Sequence, residues 1–270
     1  MDTIDAFLAS HPYAAQTKRT YSDVLHRLLA AVKPDSLTAA GLVHFLEVSG
    51  WGNKRQCMAL AAIQKYLAWR FGPDHPARMA RLQRIEGKPQ RALTQQVALQ
   101  LLASFNPYTP KGARDLALCA LALDTGLRES ELCRLEMRYV NTDTQTLEVV
   151  VKGGDWEAAI YSPDTAAHVE HWKSHRPACE HDYLFVSFRT GQAITPEGLN
   201  RIVGEWGKTI GIQLSPQDFR RSFAVIGTLN GAAERILMEG GRWKSSQMIK
   251  TYTRTLRLEA MKKYLPVPSL

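Results

Sequence analysis

The sequence predicts a mainly α-helical protein: an N-terminal helical bundle over residues 1–86, a linker at 87–92, and a mostly helical domain over 93–270 that carries one small antiparallel β-sheet. Three observations carry this. Apolar residues recur at helical spacing in most segments. The period switches to that of strands in LEVVVKGGDWEAAIYS. Between the two regions, EGKPQRA is polar, contains a proline and has no periodicity, as a linker does.

In the first region, TKRTYSDVLHRLLAAV sets Tyr21, Val24, Leu25, Leu28 and Leu29 on one helical stripe, with Lys18, Arg19 and Arg27 elsewhere on the wheel. A second helix follows in SLTAAGLVHFLEVSG, with Ser36 as candidate N-cap and an end near Gly50. A third runs from Asn53 to Gly72, and a shorter fourth is expected in PARMARLQRI. In the second region, Thr94 caps TQQVALQLLASF and Gly126 terminates an apolar helix over Lys111 to Asp124. Val149 to Val151 and Ala158 to Tyr161 form a hairpin around a GGD turn, with Lys152 beside its tip. Thr195 with Pro196, and Ser215 with Pro216, stand in cap and first-turn positions of two further helices. Short helices in AERILMEGG, SSQMIKTYT and LRLEAMKKYL complete the chain.

Composition narrows the function. With 45% hydrophobic and 22% charged residues, the chain is globular rather than disordered. Its formal charge of +8 suits a polyanionic partner such as nucleic acid. The excess is uneven: 13 Lys+Arg against 7 Asp+Glu in residues 1–91 give +6, and 21 against 19 in the remainder give +2. The start MDTIDAFLAS has acid where a secretory leader carries base, and no apolar run approaches membrane-spanning length, so a soluble cytoplasmic protein is expected. Cys57, Cys119, Cys133 and Cys179 form no CxxC pair and read as buried, reduced thiols. All eight histidines occur by position 181, so the last third must do its chemistry without imidazole.

Several residues could carry chemistry. In DTGLRESELCRL a helix ends at Gly126 and another begins, placing Arg128 near exposed amides where a guanidinium fork suits a phosphate. Gln217 and Arg220 are three apart in SPQDFRRSFA and share a helical face, while Arg221 points about 100° away. GRWKSSQMIKTYTR adds Trp243, Lys244 and Tyr252. Taken singly, each has an ordinary reading: a surface ion pair, a solvated basic face, turn polarity or a packing aromatic.

Together, Arg128, Glu131, Lys152, Gln217, Arg220, Trp243 and Tyr252 form a pattern that resembles the catalytic domain of the tyrosine recombinase, or phage integrase, family. TGLRESEL matches the box of the family's first arginine, a lysine lies on the hairpin, and an HxxR-like pair three residues apart carries the second arginine. Arg220 to Trp243 spans 23 residues and Trp243 to Tyr252 nine, as in the family. The helices of the first region look like the family's core-binding domain. The GGRW text looks closer to Cre-like than to Xer-like recombinases. One position departs: Gln217 stands where the family usually has histidine, and an amide can position a group but cannot accept a proton at neutral pH.

The resemblance implies a site-specific DNA recombinase that cleaves and rejoins DNA through a 3′-phosphotyrosyl intermediate. Arg128 and Arg220 would grip the non-bridging phosphate oxygens, Trp243 would donate its indole N–H, and Tyr252 would attack. Lys152 would protonate the departing 5′-oxygen, and Glu131 would orient the cationic cluster. Lys18, Arg19, Lys54, Arg55, Arg221 and Lys244 are the expected DNA contacts. No metal or other cofactor is implied. The implied partners are duplex DNA with inverted-repeat core sites and further copies of the chain in a tetrameric synapse, with the segment around Leu256, Leu258, Met261 and Leu265 docked on a neighbour or, equally, folded back on its own domain. Localisation at the nucleoid follows from such a role. Three alternatives stand beside it: a recombinase-like accessory DNA-binding protein weakened by Gln217, a topoisomerase relaxing supercoils by the same tyrosine chemistry, and a metal protein built on His168, His171, His175 and Cys179.

Overall fold

A computed structural model describes residues 3–83, 85, 91–151, 153–254 and 256. The chain divides into two compact units, residues 1–88 and 89–270.

Among its described residues the first unit is a bundle of four α-helices: α1 (Thr3–Ala9), α2 (Ala15–Ala31), α3 (Ala39–Val48) and α4 (Asn53–Phe71). Ile4, Phe7, Val24, Leu25, Leu28, Leu42, Leu46, Ile63 and Leu67 are fully buried, and the Phe7 ring meets Tyr66 edge-on at 5.5 Å. These are the apolar stripes of an amphipathic bundle turned onto one another. α4 stops at Gly72, whose φ of 93° glycine adopts without steric cost.

Two expectations for this unit change, and one helix is added. The cap of α3 is Thr38, whose Oγ1 accepts from the Gly41 amide at 3.1 Å. Ser36 belongs instead to a 3-10 turn opened by Pro34. PARMARLQRI forms only a 3-10 turn, Pro76–Met79, because side chains of α4 take up the backbone groups that a helix would pair internally. The Gln64 amide donates to the carbonyls of Arg78 and Ala80 at 2.8 and 3.0 Å. Asn53 brackets the following stretch, donating to Gln83 O and accepting from the Ile85 amide, both at 2.9 Å. α1 is an addition: Ile4, Phe7 and Leu8 follow helical spacing in a segment too short to stand out.

The second unit contains α5 (Gln95–Ala103), α6 (Pro110–Thr125), α7 (Glu129–Arg134), β1 (Val140–Asn141), β2 (Thr146–Val150), β3 (Trp156–Ile160), α8 (Pro163–His175), α9 (Pro196–Thr209), α10 (Pro216–Leu229), α11 (Glu234–Gly240) and α12 (Gln247–Tyr252). The strands form an antiparallel sheet in the order β1-β2-β3, with Leu147 opposite Ala159 and Val149 opposite Glu157. The two-residue β1 extends the expected hairpin. Leu147, Val149 and Ala159 face a core that also holds Leu118, Leu121, Val169, Trp172, Val203 and Phe219. α6 is the hub, packing on both α8 and α10. The caps read from the sequence operate here: Thr94 accepts from Val97 N at 3.2 Å and Thr195 from Gly198 N at 3.1 Å. Ser215 donates its amide to Asp218 at 2.8 Å.

Gly126 ends α6 at φ 56°, and a Cβ there would lie 3.0 Å from the Phe223 ring. Both constraints turn the chain sharply between α6 and α7. Cys119 and Cys133 are buried, whereas Cys57 and Cys179, also expected inside, are only half-buried; all four are free thiols. The helix expected in LRLEAMKKYL lies almost entirely outside the described residues. Among the described residues no helix is long and apolar enough to cross a membrane.

The relocated cap is testable by denaturant unfolding. Thr38→Ala should destabilise the first unit by about 1 kcal/mol, and Ser36→Ala by a few tenths at most.

Candidate active site

Three turns bring the site together. The first is the α6–α7 turn that Gly126 makes. Arg128 precedes α7, its backbone amide donates to Glu131 Oε2 at 2.8 Å, and its Nη1 donates to Glu131 Oε1 at 2.6 Å. The Glu131 side chain is 2% exposed and that of Arg128 36%, so a buried carboxylate holds a guanidinium that still reaches solvent. Arg128 Nη2 also donates to Arg242 O at 3.3 Å.

The second piece is the first half of α10. Arg220 is buried, and its guanidinium donates to Gly126 O and, at 2.5 Å, to Gly241 O. Its guanidinium carbon lies 4.5 Å from the centre of the Trp243 ring. Burial, then the like charges of Arg128 and Arg242, pull its pKa down to about 10 against the opposing pull of Glu131 and Tyr252. It remains a cation at neutral pH. Gln217, one turn earlier, donates its side-chain amide to Tyr252 Oη at 3.2 Å.

The third piece is the α11–α12 connection. Gly241 has no Cβ because the Trp243 ring occupies that space. Trp243 then stands between Arg220 and Tyr252, meeting the tyrosine edge-on at 6.1 Å. Tyr252 closes α12, with little surface exposed. The three pieces enclose a cleft of about 380 Å³ lined by Arg128, Glu129, Ser130, Pro196, Gln217, Arg220, Trp243, Met248 and Tyr252. A phenol, an amide donor, an indole and two guanidiniums therefore face one space wide enough for a phosphodiester.

Lys152 lies outside the described residues. The turn beside it is described: Gly153 and Gly154 have φ of 125° and 95°, and Val151 N donates to Asp155 O at 2.9 Å. Of the expected DNA contacts, Arg19, Lys54 and Lys244 are exposed and Lys18 half-buried. Arg55 pairs with Asp23 at 2.6 Å and stacks 5.0 Å from the Trp51 ring centre. Arg221 departs from expectation. Its side chain is 17% exposed and bonds Asp218 at 3.0 Å, because Asp218 sits one turn earlier on the same helix with an oxygen to spare beyond its capping role.

The histidine cluster does not assemble a metal site. His171 and His175 adjoin, with ring centres 4.2 Å apart, as their spacing predicts. Yet His171 Nε2 is engaged with Pro107 O at 2.8 Å and His175 Nδ1 with His171 O at 2.9 Å. Among the described residues no three His, Cys, Asp or Glu side chains converge to hold an ion.

Two site residues escaped the sequence reading. Glu129 lines the cleft and accepts from Asn200; burial and then Glu197 hold its carboxyl above the ordinary range. Arg242 lies behind Glu131, buried, at φ 54°. That cleft is set in the fold of a tyrosine-recombinase catalytic domain, and comparison with known proteins agrees.

Residues 91–258 match the phage integrase family, and the chain belongs to that family. Tyrosine recombinase XerD of Neisseria meningitidis is 30% identical over 211 residues, covering 74% of this chain and 72% of that protein. Tyrosine recombinase XerD of Listeria innocua is 27% identical over 96% of both chains. Among solved structures, XerH site-specific recombinase bound to palindromic difH substrate in a post-cleavage complex superposes with a TM-score of 0.75 at 18% identity, over 92% of this chain and 79% of that one. A lambda integrase dimer bound to a COC′ core site gives 0.72 at 14% identity, over 91% and 90%. The long matches quoted include Xer recombinases, so the Cre-like GGRW text is a local feature within a chain that resembles them.

Glu131→Gln should destabilise the second unit by about 3 kcal/mol in urea unfolding, since it removes a buried carboxylate from between guanidiniums. Half-exposure of Arg128 keeps the loss at the lower end for a broken buried pair.

Proposed function

We propose that the protein is a site-specific DNA recombinase that cleaves and rejoins DNA through Tyr252 and exchanges strands between two sites. The observation that carries the proposal is the convergence of Arg128, Arg220, Gln217 and Trp243 on the cleft that holds the Tyr252 hydroxyl.

A phosphodiester repels nucleophiles with its own charge, so fixed cations must offset the charge that grows on the non-bridging oxygens during attack. Arg128 and Arg220 supply them. The carbonyls and carboxylate that hold the two forks in place mean little reorganisation is needed as the reaction proceeds. Trp243 donates its indole N–H to the same phosphate. The Tyr252 hydroxyl loses its proton to solvent water and its oxygen forms a bond to phosphorus in line with the 5′-oxygen, the P–O5′ bond breaks, and the electron pair leaves with that oxygen. Lys152, on the hairpin, gives it a proton. The product is a 3′-phosphotyrosyl link and a free 5′-hydroxyl. Attack by the 5′-hydroxyl of the partner strand reverses the step and completes the exchange, so no energy source is consumed. Gln217 steers the phenol oxygen by donating to it and takes no proton. Glu131 orients Arg128.

The N-terminal unit, with most of the excess positive charge, binds the DNA backbone through Lys18, Arg19, Lys54 and Arg55, and Lys244 adds a contact from the second unit. Affinity falls steeply with salt. Two inverted-repeat core sites and four copies of the chain form the synapse, with the segment beyond residue 256 docking on a neighbour. The protein works in the cytoplasm, at the nucleoid.

Incubation with a nicked suicide substrate followed by a denaturing gel tests this. The parent protein should give a shifted covalent band. Arg128→Ala, Arg220→Ala and Tyr252→Phe should give none while still binding DNA. Gln217→His should keep or raise the band. Tight binding with no band from the parent would mean an accessory DNA-binding protein, and a parent-like band from Tyr252→Phe would remove the assigned nucleophile.

Gln217 also sets the pH behaviour. With no imidazole on the phenol, the cleavage rate should rise through pH 5.5–7.5 without an inflection near the ordinary histidine value of about 6.5, and Gln217→His should introduce one. Rate measurements on the suicide substrate across that range check this.

A further inference from the structure

Arg242 is a costly residue at its position. Its backbone lies at φ 54°, the left-handed region where glycine is strain-free and an arginine is not. Its side chain is 3% exposed, so the cation has also been taken out of water. Burial holds the guanidinium below its ordinary pKa range, with Glu131 opposing the shift. One buried nitrogen, Nε, has no hydrogen-bond partner among the described residues. A surface loop connecting two short helices needs none of this.

The remaining nitrogens show where the side chain acts. Nη1 donates to Gly240 O at 2.8 Å, fixing its own turn, and Nη2 donates to Thr125 O at 3.0 Å, reaching the last residue of α6 just before the turn that carries Arg128. Nη2 also lies 3.8 Å from Glu131 Oε2, the oxygen that accepts the Arg128 backbone amide. In return, Arg128 Nη2 donates to the carbonyl of Arg242 itself. The Trp243 loop and the Arg128 loop are therefore tied in both directions through one residue that is not among those lining the cleft.

We propose that Arg242 is a positioning residue for cleavage: its guanidinium locks the α11–α12 loop to the α6–α7 turn and orients Glu131, and through it Arg128, for the phosphate. This rests on the recombinase reading of the cleft. The strained backbone is the signature of the role, because Arg242→Gly would relieve the left-handed residue while deleting the guanidinium. A side chain kept only for the fold should cost stability on that change but leave the cleavage rate of the folded protein unaltered.

The test compares the parent, Arg242→Gly, Arg242→Lys and Tyr252→Phe by three readouts: covalent-adduct formation on the suicide substrate under single-turnover conditions, DNA affinity, and hydrogen exchange of the peptide spanning 126–132 in the free protein. Arg242→Gly should slow adduct formation by about 10²-fold, the scale of a misplaced catalytic group. The variant should stay folded with a lowered thermal midpoint and bind DNA near the parent's affinity, and amides in 126–132 should exchange faster. Guanidinium ion at millimolar concentration should restore part of the rate. Arg242→Lys, lacking the fork that spans both carbonyls, should fall between. The proposal is overturned if Arg242→Gly reacts within a few-fold of the parent, if exchange in 126–132 is unchanged, or if both variants fail to fold, which would make the side chain a fold element. Should the parent itself form no adduct while the exchange in 126–132 responds to Arg242→Gly, the covalent reading fails and the coupling of the two loops stands.

Discussion

Like charges repel, and the second unit holds three guanidiniums together around one buried carboxylate. Glu131 takes Arg128 on one oxygen, with Arg242 close to the other, while Gly126, Gly240, Gly241 and Thr125 offer carbonyls to Arg220 and Arg242. Carbonyl dipoles can hold a cation without cancelling its charge. The cleft therefore keeps a net positive field, and on the proposed reading an entering phosphate would supply the counter-charge. Burial first, and then that crowding, bring the pKa of Arg220 down to about 10.

Much of the local fold serves this arrangement. α6 must stop at Gly126 so that its last carbonyls point at Arg220 and Arg242 rather than continuing a helix. Gly241 must lack a side chain so that Trp243 can lie over Arg220. α10 presents Gln217 and Arg220 on one face because they are three residues apart, and Asp218 secures its first turn. Burial in the core of Phe219, flanked by these two, sets the rotation of that helix. Packing of α10 on α6 thus fixes the distance between the residues of one turn and those of the other.

Much of this was legible in the sequence where the determinant is local. Thr94, Thr195, Pro196 and Pro216 announce helix starts, Gly126 and Gly72 announce stops, and the GGD turn announces the hairpin, since each acts on its own backbone. The grouping of Arg128, Gln217, Arg220, Trp243 and Tyr252 was legible only through their resemblance to a family pattern. What escaped depends on distant partners. PARMARLQRI has helical composition, but Gln64 and Asn53 claim its backbone groups from another helix. β1 exists only because β2 pairs with it. Arg221 reads as an exposed cation until Asp218 is seen to hold it, and Arg242 reads as one more basic residue until Thr125, far back in the chain, is found at its fork.

The central claim is that the phenol of Tyr252 becomes joined to a DNA phosphorus held by this cationic cleft. Mass spectrometry of the protein trapped on a suicide substrate, after exhaustive nuclease and protease digestion, addresses it directly. The account requires a nucleotide mass on the peptide that contains Tyr252, linked through the 3′-phosphate and localised to the tyrosine by fragmentation. A nucleotide on any other side chain, or DNA cut with water added and no nucleotide on the protein, would contradict it.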